Sequence, residues 1–162
     1  MLETISDWLQ STWLSHAFIS QGLWAWPMSE SLHFIGLCLL VGSVGLVDLR
    51  MLGMAKGISV SALHKLIPFG VAGYLLNVIT GSLFVVGDAD QYSFNDAFRF
   101  KMLFMLIAGI NVLFFYSTAF QQTKLLGPND EMPLPVKIMA GVSLACWIGI
   151  ICAGRLITFY RP

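Results

Sequence analysis

Four stretches of this chain are long and apolar enough to cross a lipid bilayer, and little else about the sequence constrains the fold as strongly. They run 27–47, 68–86, 98–120 and 134–159. A hydrocarbon core about 30 Å thick needs roughly 20 residues of helix. Pro27 and Pro68 open the first two stretches, where a missing N–H costs nothing. The connections between the stretches, around DLRMLGMAKGIS, GDADQYSFND and QQTKLLGPNDEMP, carry the Gly, Pro, Asn and Asp of chain breaks. Short links between antiparallel neighbours predict an all-α integral membrane protein, a four-transmembrane-helix up-down bundle. Residues 1–162 read as one membrane domain.

Charged residues make up only 11% of the chain, against about 25% in a soluble domain, so the bilayer is the expected partner. The formal net charge is zero, which gives no reason to expect nucleic acid. Cys38, Cys146 and Cys152 all fall in apolar runs and read as small buried hydrophobes rather than a disulfide framework.

Residues 2–20, LETISDWLQSTWLSHAFIS, are too polar to span. Leu2, Ile5, Leu9, Trp13 and His16 recur at helical spacing, which predicts one amphipathic helix lying at the membrane interface. Glu3 and Asp7 stand where a secretory signal has its cationic region, so this segment is expected to remain in the mature protein. On one side of the membrane the links hold Arg50, Lys56, Lys65, Lys124 and Lys137; the other side holds Arg99, Lys101, Arg155 and Arg161. By the positive-inside rule the termini are expected in the periplasm, with the chain in a bacterial inner membrane.

The alternation of spans gathers one set of ionisable residues into a single leaflet. Glu30 and His33 lie near the start of the first span, Lys101 near the start of the third, and Arg155 near the end of the fourth. His16 joins them because its helix leads into the first span. Ionisable groups within spans are costly and mark a buried pair or a function. Glu30 and His33, three apart, share a helix face, and the carboxylate is expected to orient the ring. Lys101 and Arg155 are natural partners for a buried anion such as a haem propionate. Gly36 follows His33 by one turn and leaves room beside it. Small residues line the other spans, Gly70, Gly73 and Gly81 with Asn77 on the second, and Ala108 with Asn111 on the third. They favour close helix packing, and the two asparagines are expected to bond across helices. His64 opens the second span in the opposite leaflet. A span separates it from His33, whereas two axial imidazoles on one iron hold their nitrogens about 4 Å apart, twice a metal–nitrogen bond of about 2 Å. An interfacial role therefore suits it better.

The segments WPxxExxHFIGLxLLVG, DLRMLG, FRFKMLFMLIAGIN and WIGIICAGRLITFY together resemble a family of bacterial four-helix membrane proteins of undetermined function. More distantly, a histidine opening the first span and a lysine opening the third are similar to membrane protoporphyrinogen oxidases of the HemJ type, which bind haem b, and to copper-resistance D proteins. The HemJ resemblance implies functional roles at His33 and Lys101. The chain differs from that type in its N-terminal helix, in Glu30 and in its GRLITFY ending.

Three readings follow. The first is a b-type haem protein transferring electrons between quinone and a periplasmic partner, with His33 as axial ligand, His16 as the second, and His64 or Met28 as alternatives. Covalent haem attachment is excluded because no CxxCH motif is present. The second is a HemJ-like porphyrinogen oxidase with Lys101 and Arg155 on substrate carboxylates. The third is copper handling, with Met28, Met102 and Met105 as soft ligands. A second small-residue stripe, Cys38, Gly42 and Gly45, is expected to pair copies of the chain into a homo-oligomer, a trimer in the simplest ring.

Overall fold

The computed structural model describes residues 2–20 and 24–160. Among these residues all regular structure is helical: α1 (Leu2–Gln10), α2 (Trp13–Ser20), α3 (Ala25–Met51), α4 (Val60–His64), α5 (Ile67–Gly87), α6 (Ala89–Ser93), α7 (Asp96–Thr118), α8 (Phe120–Thr123) and α9 (Leu134–Leu156). Helices α3, α5, α7 and α9 are the membrane spans, and the protein is a multi-pass α-helical membrane protein. At 1.5 Å per residue, α3 is about 40 Å long, more than the roughly 30 Å of a hydrocarbon core.

The spans pack in the order α5–α3–α9–α7. The two hairpins α3/α5 and α7/α9 are joined through α3 and α9, while α5 and α7 stand at the edges with little mutual contact. Close approach drives each pairing, because lipid tails are as apolar as the side chains they would replace. The α3/α5 crossing is set by Gly36 and Gly73. A Cβ at Gly73 would come within 2.5 Å of the Gly36 carbonyl oxygen and 2.8 Å of Leu40 N. Leu40, Ala108, Cys146, Trp147 and Ile150 form a core cluster where α3, α7 and α9 meet. Cys38 and Cys152, unlike Cys146, are exposed.

At the end away from the N-terminus, Val47, Met51, Val60, Leu63, Met132, Val136 and Ala140 make a second core. The sequence suggests a loop from Asp48 onward, but α3 continues to Met51. The reason is Arg50, which is fully buried. Its Nε donates to the Ile58 carbonyl at 2.7 Å, and its Nη2 to those of Gly127 at 3.0 Å and Asp130 at 3.3 Å. One guanidinium thus ties two loops together. Asn129, at φ 68°, donates its N–H to the Lys56 carbonyl at 2.8 Å, and Glu131 pairs with Lys56 and Lys137.

The N-terminal segment is two helices rather than one. Ser11 and Thr12 break it by turning their hydroxyls back to the carbonyls of Trp8 and Leu9 at 2.8 and 2.6 Å. Such local bonds compete with the helix. The break also overturns the expected apolar stripe. Trp13 and His16 are exposed, while Ser6 and Ser15 are fully buried; the side chains of Leu2 and Ile5 lie outside the described ones.

Candidate functional site

His33 lies two turns into α3, on the side that meets α5 and half-buried. Its Nδ1 sits 2.7 Å from Thr80 Oγ1. That hydroxyl has one hydrogen, and it points to the Leu76 carbonyl at 2.8 Å, a bond favoured by the backbone four residues back. With its hydrogen on that carbonyl, Thr80 accepts from His33, and the contact then suits an imidazole that carries its proton on Nδ1. In that tautomer the lone pair sits on Nε2, which makes no hydrogen bond among the described residues. Phe84 holds the ring from the side, with centroids 5.5 Å apart, and a Cβ at Gly81 would lie 3.7 Å from His33 Cε1. A histidine whose other nitrogen is fixed by a hydrogen bond is the usual form of a metal-bound histidine.

Thr80 is the residue that sequence reasoning missed. It stands three residues beyond Asn77 and seven beyond Gly73, on the small-residue stripe expected to pack closely on another helix, so its position held the signal.

Lys101 comes from the first turns of α7 and lies across α9. A Cβ at Gly154 would be 3.8 Å from its Nζ. The lysine is half-buried, and it has no acidic partner among the described residues. His33 and Lys101 thus lie toward the same end of the bundle, His33 packed on α5 and Lys101 on α9, with Thr80 on one edge helix and Lys101 on the other.

The other expected members are placed elsewhere. The Glu30 carboxylate accepts from Trp26 Nε1 at 3.1 Å and is exposed, so the imidazole is oriented by Thr80 instead. Gly36 is covered by α5: a Cβ there would meet Asn77 Nδ2 and the Gly73 carbonyl at 2.9 Å, which leaves no room for a ligand. Asn111 donates to the Met139 carbonyl of α9 at 3.0 Å, the interhelical bond expected of it, and that spends its amide on packing. Asn77 bonds within its own helix, to the Gly73 carbonyl at 3.0 Å. Arg155 is exposed, its guanidinium 5.4 Å from the Phe159 ring. His64 is packed between Tyr116 and Phe120 at 5.9 and 4.7 Å; about 20 Å of helix separates Ile67, just beyond it, from Thr80. Met28 and Met102 are exposed, whereas Met105 packs on the core around Leu40 and Trp147.

His16 is exposed, and α2 meets the site through Phe18 instead. A chain of rings leads from Phe18 to Trp26 (5.7 Å), Phe84 (5.2 Å) and His33 (5.5 Å). Beside it, burial pushes the Tyr92 phenol up to about 12, with the Asp88 and Glu30 carboxylates adding to the effect. Gln91 and Asn95 then close the cap by donating to the Ile157 carbonyl at 2.8 and 3.0 Å.

Among the described residues no three His, Cys, Asp or Glu side chains converge as a metal site. A bare divalent ion would need three or four protein ligands. Haem brings four equatorial nitrogens of its own, so one free imidazole and a cation for its carboxylates suit it.

No curated protein and no solved structure matches the chain. The chain belongs to DUF6644, a family of unknown function, whose model matches residues 6–160.

Proposed function

We propose that this member of the family is a membrane b-type haem protein, with His33 Nε2 as the iron ligand and Lys101 as the counter-charge for a haem carboxylate. The observation that carries the reading is the 2.7 Å contact between His33 Nδ1 and Thr80 Oγ1, a hydroxyl also placed to donate to the Leu76 carbonyl; with the proton on Nδ1, Nε2 is the nitrogen that would ligate. The resemblance of His33 and Lys101 to the functional pair of HemJ-type proteins supports it. Bound haem would supply a one-electron couple. The protein would supply the axial nitrogen, an apolar wall at Phe84 and a positive field from Lys101, the means by which a protein tunes such a couple. In this reading the chain transfers electrons between quinone and a periplasmic partner, at the outer face of a bacterial inner membrane. Cys38 and Gly42 are exposed on α3 with open space over Gly42, which supports a homo-oligomer, a trimer, as its working form.

The test is an absorbance spectrum of the purified protein with its His33→Ala and His16→Ala variants. The expected result is a Soret band in the wild type that is lost from His33→Ala and unchanged in His16→Ala. A wild type without the band, or a His33→Ala variant that keeps it, would sink the assignment.

A further inference from the structure

In the N-terminal helices two serines face the protein while two tryptophans face outward. Ser6 and Ser15 are fully buried, while Trp8 is 66% exposed, Trp13 79% and Leu14 45%. The polar side is fastened at one point. Ser6 Oγ donates to Asp90 Oδ1, and Gln10 Nε2 donates to Asp90 Oδ2 at 3.1 Å. Hydrogen bonds to an ionised carboxylate are about twice as strong as neutral ones. Asp90 belongs to α6, in the link between α5 and α7. Beyond the break at Ser11–Thr12, α2 makes its own contact. Phe18 lies so close over Gly87 that a Cβ there would come within 2.8 Å of its ring, and it stacks on Trp26, two rings from His33.

We infer that α1 and α2 form a lid over the His33 end of the bundle, latched at Asp90 and seated in the lipid interface by Trp8, Trp13 and Leu14. Tryptophan prefers the headgroup level, and α1 and α2 pack on α6 and α5 at the end of the bundle where α3 starts, the level at which headgroups are met. The chain holds no Lys or Arg before Arg50, so the seat relies on apolar contact and needs no anionic lipid. Opening breaks the two bonds to Asp90 and lifts Phe18 from Gly87 and Trp26. The ring stack beneath it is then uncovered, and a ligand gains a path to His33. The inference does not rest on haem, because the lid covers His33 whatever that residue binds.

Hydrogen–deuterium exchange of the full chain in phosphatidylcholine nanodiscs tests the latch. In Asp90→Ala, which removes both hydrogen bonds, exchange across residues 4–18 should rise at least about tenfold, the population change expected from losing even one charge-assisted hydrogen bond, while the Arg50 loops stay as protected as in the wild type. In Gly87→Val, which displaces Phe18 and keeps Asp90, α2 should exchange faster and α1 should not. If neither variant changes exchange in 4–18, the segment is a fixed part of the fold and the latch is wrong. Brominated phosphatidylcholine tests the seat by quenching tryptophan emission. The quenchable emission should fall in the Trp8→Tyr, Trp13→Tyr double variant; no fall would put those rings in water and overturn the lipid contact.

Discussion

Replacing Thr80 by valine removes one hydroxyl and almost nothing else. Valine has the shape of threonine, and Thr80 is 2% exposed, so the methyl groups keep their packing. What disappears is the acceptor 2.7 Å from His33 Nδ1. The Nδ1–H then has three outcomes: it stays unpartnered, the proton moves to Nε2, or the ring turns away. Leaving a buried donor unmade costs about 1–3 kcal/mol. Moving the proton to Nε2 abolishes the ligand. Either route weakens the metal bond, and loss of such an orienting partner typically costs about 10–100-fold in metal affinity, in keeping with 1.4 kcal/mol per tenfold. Titrating haem into haem-depleted Thr80→Val protein should therefore show a Kd raised about 10–100-fold. Thr80→Ser, which restores the hydroxyl, should bind as the wild type does. A valine variant with wild-type affinity and an unchanged spectrum would show that Thr80 does not set the tautomer, and the central argument for His33 would fall with it.

Gly73→Ala should destabilise the fold by at least the 1–3 kcal/mol typical of overpacking, because its Cβ meets the backbone of α3 and not a movable side chain. Gly42→Ala, with nothing within 4 Å, should be close to neutral, and thermal unfolding in one detergent compares the two. Lys56 and Lys137 hold the Glu131 carboxyl below its ordinary range. A carboxyl with a depressed folded value contributes stability above its unfolded value and loses it as pH falls through the folded one. The loops around Arg50 should thus loosen as pH falls below the ordinary carboxylate range, and Glu131→Gln should blunt that acid response in exchange or proteolysis profiles. Tyr92 runs the other way. With its phenol moved from 10.0 to about 12, its contribution is whole below pH 10 and is lost as pH rises through 12, so Tyr92→Phe should make the cap less sensitive to alkali by circular dichroism.

Which parts of this architecture could be read without coordinates follows from what periodicity and composition encode. The spans were legible because lipid leaves long apolar helices as the solution, and Pro27, Pro68 and the polar links mark their ends. The pairing order was not. Up-down connectivity makes α5 and α7 neighbours in sequence, yet α3 and α9 meet instead, through interfaces such as Leu40 against Trp147 and Ile150. Arg50 shows why α3 was expected to end early. A cation after an apolar run reads as a loop residue, and only folding brings the carbonyls of Ile58, Gly127 and Asp130 around it. The Glu30 expectation followed from helical spacing, which puts Glu30 and His33 on one face but cannot say whether a nearer donor, here Trp26, takes the carboxylate. The His16 expectation assumed an unbroken helix, and two side-chain bonds at Ser11 and Thr12 rotate that face away.

The open order of the spans bears directly on the chemistry at His33. In a closed four-helix bundle α5 and α7 would seal against each other, and the groups around a central histidine would have to be satisfied by protein. Here the edge helix α5 supplies the partner that fixes the imidazole, and the other edge helix, α7, supplies a cation with no acidic partner among the described residues. A half-buried charge left alone within a membrane span is costly unless something of opposite sign meets it. A ligand with a metal for Nε2 and a carboxylate for Lys101 would answer both needs, and it would bridge the two hairpins where they lack contact of their own. The far end of the molecule needs no such bridge, because Arg50 and Glu131 already join its loops. At the His33 end the chain's own ties run from Gln91 and Asn95 to the Ile157 carbonyl, beneath α1 and α2, and they leave α5 and α7 with little direct packing beside His33 and Lys101.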